Sequence, residues 1–484
     1  MSIYYSNFGQ TIRFNDLSRQ LSQLIMGLEV EMHRVNRQDG HLSDQVYPTS
    51  LGDPVQHHAI KNDFGYTQME VITPANVNVF ASLDMLAALN DTVRKNLAAD
   101  ESLWLYSMPP VLNPGRTEFK IAPADSVKTA YMETVVARRD IARSITSGVH
   151  INLGLALDVL HYVYHQFFED QYQNEVDFTN SLYMKIAQGL MHYRWVFTLL
   201  FGEAPVADAS FYEGRASLQG YVRSVRSSSY GFGNGVTGSY QDVDSYIAKV
   251  KEDVAVGDLI AEREFYDVVR LKGQNELADL ATKGVQYLEL RMFDLDALSK
   301  TGVSEVMVQF TELLFAYLMM TQSVVPDGHD VDEFLQESRQ RNETVALEDP
   351  FNVSKYQGEA LSLLSNLEEF AYDNRFKADW LPELRRRLTD PLESPAAKLI
   401  TFLTDDFYQG MLALSNQRQI GQLRLRGLAG FSDLPLNEQK QLQAELVAHG
   451  DVNVVNRRLG TFFVQHQKQE YLLSKKGLFQ KNEQ

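Results

Sequence analysis

The residues best suited to chemistry are acids, and they recur in a pattern. In Gly27-Leu28-Glu29-Val30-Glu31-Met32-His33-Arg34-Val35, the polar Glu29, Glu31 and His33 alternate with Leu28, Val30 and Met32. Gln68 and Glu70 alternate with Met69 and Val71. His150 and Asn152 alternate with Val149, Ile151 and Leu153, and Glu289 and Arg291 with Leu288, Leu290 and Met292. Residues two apart share a face of a strand. Each segment therefore reads as a strand with one apolar face and one face of acids, histidine, amide or arginine. A solvated polar face is the ordinary use of such alternation, but Glu and His suit exposed strands less well than Thr. Gathered on one concave surface, Glu29 and Glu31 stand roughly 6.6 Å apart. They repel by about 2.5 kcal/mol at an effective dielectric of ~20, and Glu70, Glu289 and Asp63 add to this. Such a cluster persists by protonation or by binding cations. Oxygen ligands with one histidine suit Mg²⁺ or Mn²⁺, and several such ions suit a nucleoside triphosphate. Arg291 then faces developing phosphate charge. The pattern predicts a multi-carboxylate Mg²⁺ site for phosphoryl chemistry and leaves the substrate open.

The elements that must hold these residues change character near residue 300. Before it, helical stretches are interleaved with short alternating segments. After it, the run 303–322 and residues 355–373, 394–415, 436–449 and 452–474 all read as helix. Val325-Pro326-Asp327-Gly328 and the Ser/Gly-rich stretch Ser227 to Ser239 read as loops. No linker separates independent units. The expected organisation is α+β: a catalytic sheet-and-helix region over 1–300, and a mainly helical region over 301–484 packed on it as one integrated domain. The 484 residues carry 63 acidic and 45 basic side chains, a net charge of −18 that opposes binding to nucleic acid or anionic membranes. Acidity of this kind also simply aids solubility. No cysteine is present, which excludes disulfides, thiolate metal sites and a cysteine nucleophile. No apolar run approaches the roughly 18 residues of a membrane span, and the N-terminus lacks the pattern of a signal peptide. A cytoplasmic protein with no obligate protein partner is expected.

Several motifs mislead. Gly233-Asn234-Gly235-Val236-Thr237-Gly238 fits GxGxxG but follows no clear strand and sits in no βαβ unit. Asp63-Phe64-Gly65 spells the kinase DFG but precedes the Gly-rich stretch, the wrong order. His57-His58 reads as loop. The aromatic run Tyr162, Tyr164, Phe167, Phe168 and Tyr172 reads as helix packing.

At the same four strands the chain resembles bacterial glutamate–cysteine ligase, including the ligase half of bifunctional glutathione synthetases. The matching motifs are Gly27-Leu28-Glu29-Val30-Glu31 with Arg34-Val35-Asn36, Asp63-Phe64 with Glu70-Val71-Ile72-Thr73-Pro74, and Leu103-Trp104 with Ser107-Met108-Pro109. Ser147-Gly148-Val149-His150 with Asn152 follows, then Arg226-Ser227-Ser228 and Glu264-Phe265-Tyr266 with Arg270-Leu271-Lys272. Tyr287-Leu288-Glu289-Leu290-Arg291 with Asp294 ends the series, in register over roughly residues 25–300. The resemblance implies a glutamine-synthetase-like fold, with an antiparallel sheet curled into a funnel. It implies that ATP phosphorylates the γ-carboxylate of L-glutamate and that the amine of L-cysteine displaces phosphate, the first step of glutathione biosynthesis. By similarity, Glu29, Glu31, Asp63, Glu70, His150 and Glu289 hold magnesium and Arg291 stabilises the transferring phosphoryl group. Asn152 places glutamate, and Phe64, Tyr131, Arg226 and Tyr266 form the cysteine pocket.

Three positions depart from the family pattern. Tyr66 stands where an acid is common, Met132 where better-known members carry an arginine, and Phe232 where a tyrosine is expected. They leave the metal set intact and bear on the acceptor. Arg138, Arg139 or Arg143 are the candidates to replace the lost guanidinium. A ligase using another amine, and a catalytically silent ligand-binding relative, are the alternatives. No ATP-grasp extension is recognised, so no glutathione synthetase activity is expected. The Ser227–Ser239 loop is the candidate lid.

Overall fold

A computed structural model of the chain describes residues 3–21, 24–233, 235–403 and 406–448, and the backbone of four strands within 452–480. All four alternating segments are strands of one antiparallel sheet. They are β1 (Ile25–Asn36), β3 (Gln68–Ile72), β5 (Val149–Gly154) and β7 (Tyr287–Phe293). β2 (Ile60–Asn62) and β6 (Val269–Lys272) lie at the edges, in the order β2-β3-β1-β5-β7-β6, and β4 (Glu101–Leu103) pairs with the far end of β1. The sheet is open, and the α+β class matches the sequence reading.

Register decides which polar residues meet. Glu31 lies opposite Glu70 and Glu29 opposite His150. Asn152 lies opposite Glu289, and Arg270 also faces Glu289. Directly opposed residues of an antiparallel pair project from the same face with Cβ atoms about 5 Å apart. The acids of three strands, with His150 and Asn152 of the fourth, are thus collected on one face. Between β5 and β7 the register shifts across Val149 to Ile151, so that two residues of β7, Arg291 and Met292, oppose His150 alone. Such a bulge re-aims a side chain beside a site. The opposite face is the core, where Leu28, Val30, Ile151, Leu153, Leu288 and Leu290 are fully buried. Helices Val79–Asn96, Glu175–His192 and Arg194–Phe201 pack on the sheet, and Glu305–Met320 stacks behind them.

Beyond residue 300 the helices Glu305–Met320, Gln357–Asn374 and Leu436–Ala448 follow the sequence reading closely, and Val331–Ala346 is a further helix of this region. The stretch 394–415 divides into Pro395–Phe402 and Phe407–Arg424, because the Asp406 side chain caps a new helix at the backbone N–H of Gln409. The helix expected over 452–474 is wrong. Its described parts are β8 (Val452–Asn456), β9 (Thr461–His466) and β10 (Gln469–Ser474), which pair antiparallel in sequence and continue to β11 (Gly477–Gln480). The short runs Val-Asn-Val-Val and Thr-Phe-Phe-Val are β-branched and aromatic, a preference that outweighs an apparent helical spacing. Residues 457–460 and 467–468 of that stretch lie outside the described residues. Among the described residues no helix is long and apolar enough to cross a membrane.

Candidate active site

The polar face of the sheet carries two overlapping groups of potential ligands. Glu29, His150 and Glu289 form one, and Glu31, Glu70 and His150 the other, with one ligand atom from each residue within 4.8 Å of the rest. His150 is shared. Its Nδ1 lies 3.0 Å from Glu29 Oε2 and 3.8 Å from Glu289 Oε1, and its Nε2 lies 3.6 Å from Glu31 Oε1. Asn152 donates to Glu29 Oε1 at 2.7 Å, and the backbone N–H of Gly148 donates to Glu31 Oε2 at 3.0 Å.

The electrostatics are uneven across this face. Burial drives the Glu31 carboxyl up to about 7, against the pull of His150. Burial, with Asp63, Glu29 and Glu31 as like charges, holds Glu70 well above the usual carboxylate range. On the other side, burial would raise Glu289, but Arg291, Arg270 and Lys272 outweigh it and hold that carboxyl well below its ordinary value. The contacts are Arg291 Nη1 at 2.6 Å, Lys272 Nζ at 3.3 Å and Arg270 Nη1 at 3.5 Å. Burial likewise opposes ionisation of Glu29, and its hydrogen bond from His150 reverses the shift. Arg270 and Lys272 are functional candidates beyond the sequence-derived set. Their signal was a pair of bases two residues apart, and its meaning depends on β6 lying beside β7.

These residues fit the divalent cation their types suggested. Four carboxylates and one imidazole converge from four strands, and Glu289 Oε2 is buried with the ion pairs to Lys272 and Arg270 but no hydrogen bond. Burial and the charge of Asp63 push both Glu31 and Glu70 toward protonation, and Glu29 and Glu31 add to the push on Glu70. A bound cation would relieve both. Asp63 is not within either close group and acts on them through its charge. His33, on the same strand face by alternation, is not part of the cluster. Its ring reaches Thr67 Oγ1 at 3.1 Å and the Ile145 carbonyl at 2.7 Å, and is fully buried.

A cavity of about 400 Å³ opens beside the cluster, with Asp63, Arg270 and Arg291 at its inner wall and Phe64, Tyr131, Met132 and Tyr266 around it. Tyr131 and Tyr266 share a hydrogen bond between hydroxyls at 2.8 Å. Phe64 stacks on Phe119 with ring centroids 5.6 Å apart. The Phe232 ring packs 5.4 Å from Tyr266 and lies under both Arg226 and Arg291, at 5.3 Å and 5.6 Å. A second cavity of about 360 Å³ shares Arg143, Phe232, Gly233, Tyr266 and Arg291 with the first and adds Arg226. Arg226 is buried and donates to the Arg291 carbonyl at 3.3 Å. A Cβ on Gly148 would stand 2.0 Å from its guanidinium, so any larger residue would displace Arg226 from this position.

The three unusual positions have different fates. Met132 is wholly buried in the cavity wall, and Phe232 presents an apolar ring where a hydroxyl was expected. Tyr66 does not line either cavity. Its hydroxyl accepts from the Tyr47 backbone N–H at 2.8 Å. Arg138, Arg139 and Arg143 all line the first cavity. Arg139 is held by Glu264 at 2.6 Å, whereas Arg138 and Arg143 are bonded to the Gly257 and Gly231 carbonyls and keep their charge uncompensated by these contacts.

Known proteins place this geometry in context. Residues 10–341 match the glutamate–cysteine ligase family. A bifunctional glutathione biosynthesis protein of Lactiplantibacillus plantarum is 31% identical over 440 residues, covering 90% of this chain and 57% of that protein. Its counterpart in Pasteurella multocida is 30% identical over 444 residues, with 89% and 57% covered. The crystal structure of the bifunctional glutathione synthetase from Pasteurella multocida superposes with a TM-score of 0.86 at 26% identity, covering 96% of this chain and 62% of that one. A glutamate–cysteine ligase from Francisella tularensis, solved with AMP, shares the fold with a TM-score of 0.74 at 20% identity, with 88% and 93% covered. The chain thus spans little more than half the length of the curated relatives it matches.

Proposed function

The chain belongs to the glutamate–cysteine ligase family, and from that premise we propose that it joins the γ-carboxylate of L-glutamate to the amine of L-cysteine at the expense of ATP, through γ-glutamyl phosphate, as the first step of glutathione biosynthesis. The observation that carries this reading is the convergence of Glu29, Glu31, Glu70, Glu289 and His150 beside Arg291 at the wall of the 400 Å³ cavity. Glu29, Glu31, Asp63, Glu70, His150 and Glu289 are the residues that would hold Mg²⁺, with Mn²⁺ as a substitute. The metal supplies charge neutralisation, letting an anionic carboxylate and a γ-phosphate approach one another.

The chain's own groups do the rest. A carboxylate is a poor electrophile until it carries a phosphoryl leaving group. Arg291, fixed by Glu289, offers its guanidinium to the charge that develops on the phosphoryl oxygens. Asn152 orients Glu29 and is assigned to placing glutamate. Phe64, Tyr131, Arg226 and Tyr266 form the acceptor pocket, which must exclude water so that the acyl phosphate meets the amine first. The Ser227–Ser239 loop, carrying Phe232, is the assigned lid. Residues 1–300 supply the catalytic sheet and residues 301–484 a mainly helical region integrated with it. We place the enzyme in the cytoplasm, with ATP, glutamate and cysteine as its partners.

Met132 and Phe232 favour a second reading, a γ-glutamyl ligase for another amine, because they remove polar groups from the acceptor side of the cavity. Phosphate release from Mg²⁺-ATP with glutamate, with and without cysteine, separates the two when the product is identified by mass. Cysteine-stimulated release yielding γ-glutamylcysteine is expected. Glutamate-dependent release that another amine stimulates far more efficiently supports the second reading, and no release with any acid overturns both.

A further inference from the structure

Outside the carboxylate cluster, two histidines and two glutamates meet on the surface. Helix Leu157–Val163 runs into a π-turn, Tyr164–Phe168. His161 and His165, four residues apart, lie on one side of this segment with ring centroids 4.5 Å apart. Glu175, the first residue of the helix Glu175–His192, is brought across the intervening turn by the Asn174 cap. Its carboxylate oxygens lie 3.0 and 3.2 Å from His161 Nδ1, and Glu169 Oε1 lies 3.3 Å from His165 Nδ1. One ring nitrogen of each histidine and one carboxylate oxygen of Glu175 all fall within 4.8 Å of one another.

We propose that His161, His165 and Glu175 form a surface site for one divalent ion of the zinc class. Two imidazoles and a carboxylate are a ligand set that zinc takes with a fourth position left to water, and imidazole donors select such ions over Mg²⁺. Ligand atoms around a tetrahedral zinc stand about 3.3 Å apart. The present spacing closes to that by rotation of exposed side chains, since His161, His165 and Glu175 are 60%, 40% and 37% exposed. Glu169 is placed to hold the His165 ring through the nitrogen it already contacts, the usual support of a ligating histidine. π-turns recur at functional sites because the wider turn changes which side chains align. The ion ties the 157–168 segment to the first turn of the helix that packs on β6 and β7. This site is chemically distinct from the oxygen-rich cluster on the sheet and does not rest on the ligase reading.

The test uses the full chain in excess Mg²⁺, to compete with Zn²⁺ for the carboxylate cluster, with Zn²⁺ titrated calorimetrically. His161→Gln/His165→Gln is compared with the unmodified protein, and far-UV circular dichroism checks that both fold. The expected result is loss of one Zn²⁺ equivalent, or at least a tenfold rise in its Kd, in the double variant. One equivalent of Zn²⁺ should also raise the Tm of the unmodified protein and not that of the variant. Glu175→Gln should weaken binding with both imidazoles kept. Equal stoichiometry and affinity in the protein and the double variant, or no Zn²⁺ bound by the unmodified protein, overturns the proposal.

Discussion

The two halves of strand β1 bury charge in opposite ways. At its far end, Arg34 is fully buried, and Glu101 faces it at 2.7 Å. The same guanidinium donates to the carbonyls of Gln45, Val46 and Tyr66, while Ser43 donates to Glu101 at 2.6 Å. His33 beside it is bonded through both ring nitrogens. A few residues earlier, Glu31 stands opposite Glu70, acid against acid, and the Glu29 end shares one histidine with it. Burial is similar and saturation is not. At the Arg34 end the buried charge is paired, although Arg34 Nε has no hydrogen-bond partner, and that pairing is the mark of a structural ion pair. The Glu31 end is short of positive charge, which is the mark of a place that receives it from outside.

The largest expected effect separates the two ends by activity. Glu29→Gln and Glu289→Gln should each lower ligand-dependent phosphate release by roughly a thousandfold or more, the scale of losing a group that supports transition-state charge. The fold should survive, as read by circular dichroism. Near-normal turnover in both would dissolve the contrast. The mirror experiment is Glu101→Ala, which leaves Arg34 buried and unpaired. It should cost about 3–5 kcal/mol in denaturant unfolding while the folded enzyme keeps its turnover.

Acid should weaken the Arg34 end in a definable window. Burial depresses His33 to about 4 from an ordinary 6.5. The unfolded chain therefore binds a proton that the folded chain resists. Its contribution is whole above about pH 6.5 and is eroded as pH falls toward 4, by roughly 3 kcal/mol at most. His192, also held at about 4 by burial, adds to the same slope, and Glu31, raised to about 7, opposes it. Unfolding free energies measured between pH 7 and 4.5 should therefore fall less steeply with acid in a His33→Gln variant than in the unmodified protein. Mg²⁺ supplies the smallest and most direct contrast. At about a hundred times its Kd it should stabilise the protein by about 2.7 kcal/mol. Glu70→Gln should shrink that gain while raising the stability of the metal-free protein, because it removes one of two opposed acids. A Tm indifferent to Mg²⁺ in the unmodified protein would break the comparison.

Much of this was legible in the residues themselves. Alternation over Leu28 to Met32 and over Leu288 to Met292 reports a half-polar strand because side chains in a strand project with period two. The same rule failed at His33, whose face it gave correctly and whose role it did not. At that end of β1, β4 and the residues around Ile145 close over the face and convert it to interior. It failed again over 452–474, where a periodicity that suited a helix belongs to paired strands. Apolar runs this short fit both elements, and long-range partners choose between them.

What the sequence by itself determined is the supply of parts: four strands with one polar face each, acidic in three and histidine with asparagine in the fourth, an arginine two residues from the last acid, and no thiol chemistry. Local stereochemistry suffices for that, since which side of a strand a residue occupies depends only on its neighbours. Which of those parts meet was decided by tertiary structure alone. The register that sets Glu31 against Glu70, the bulge that places Arg291 and Met292 across from His150, and the edge strand that brings Arg270 and Lys272 to Glu289 all join residues distant in the chain. Their positions follow from hydrogen-bond pairing and core packing of the whole sheet, which no single segment specifies.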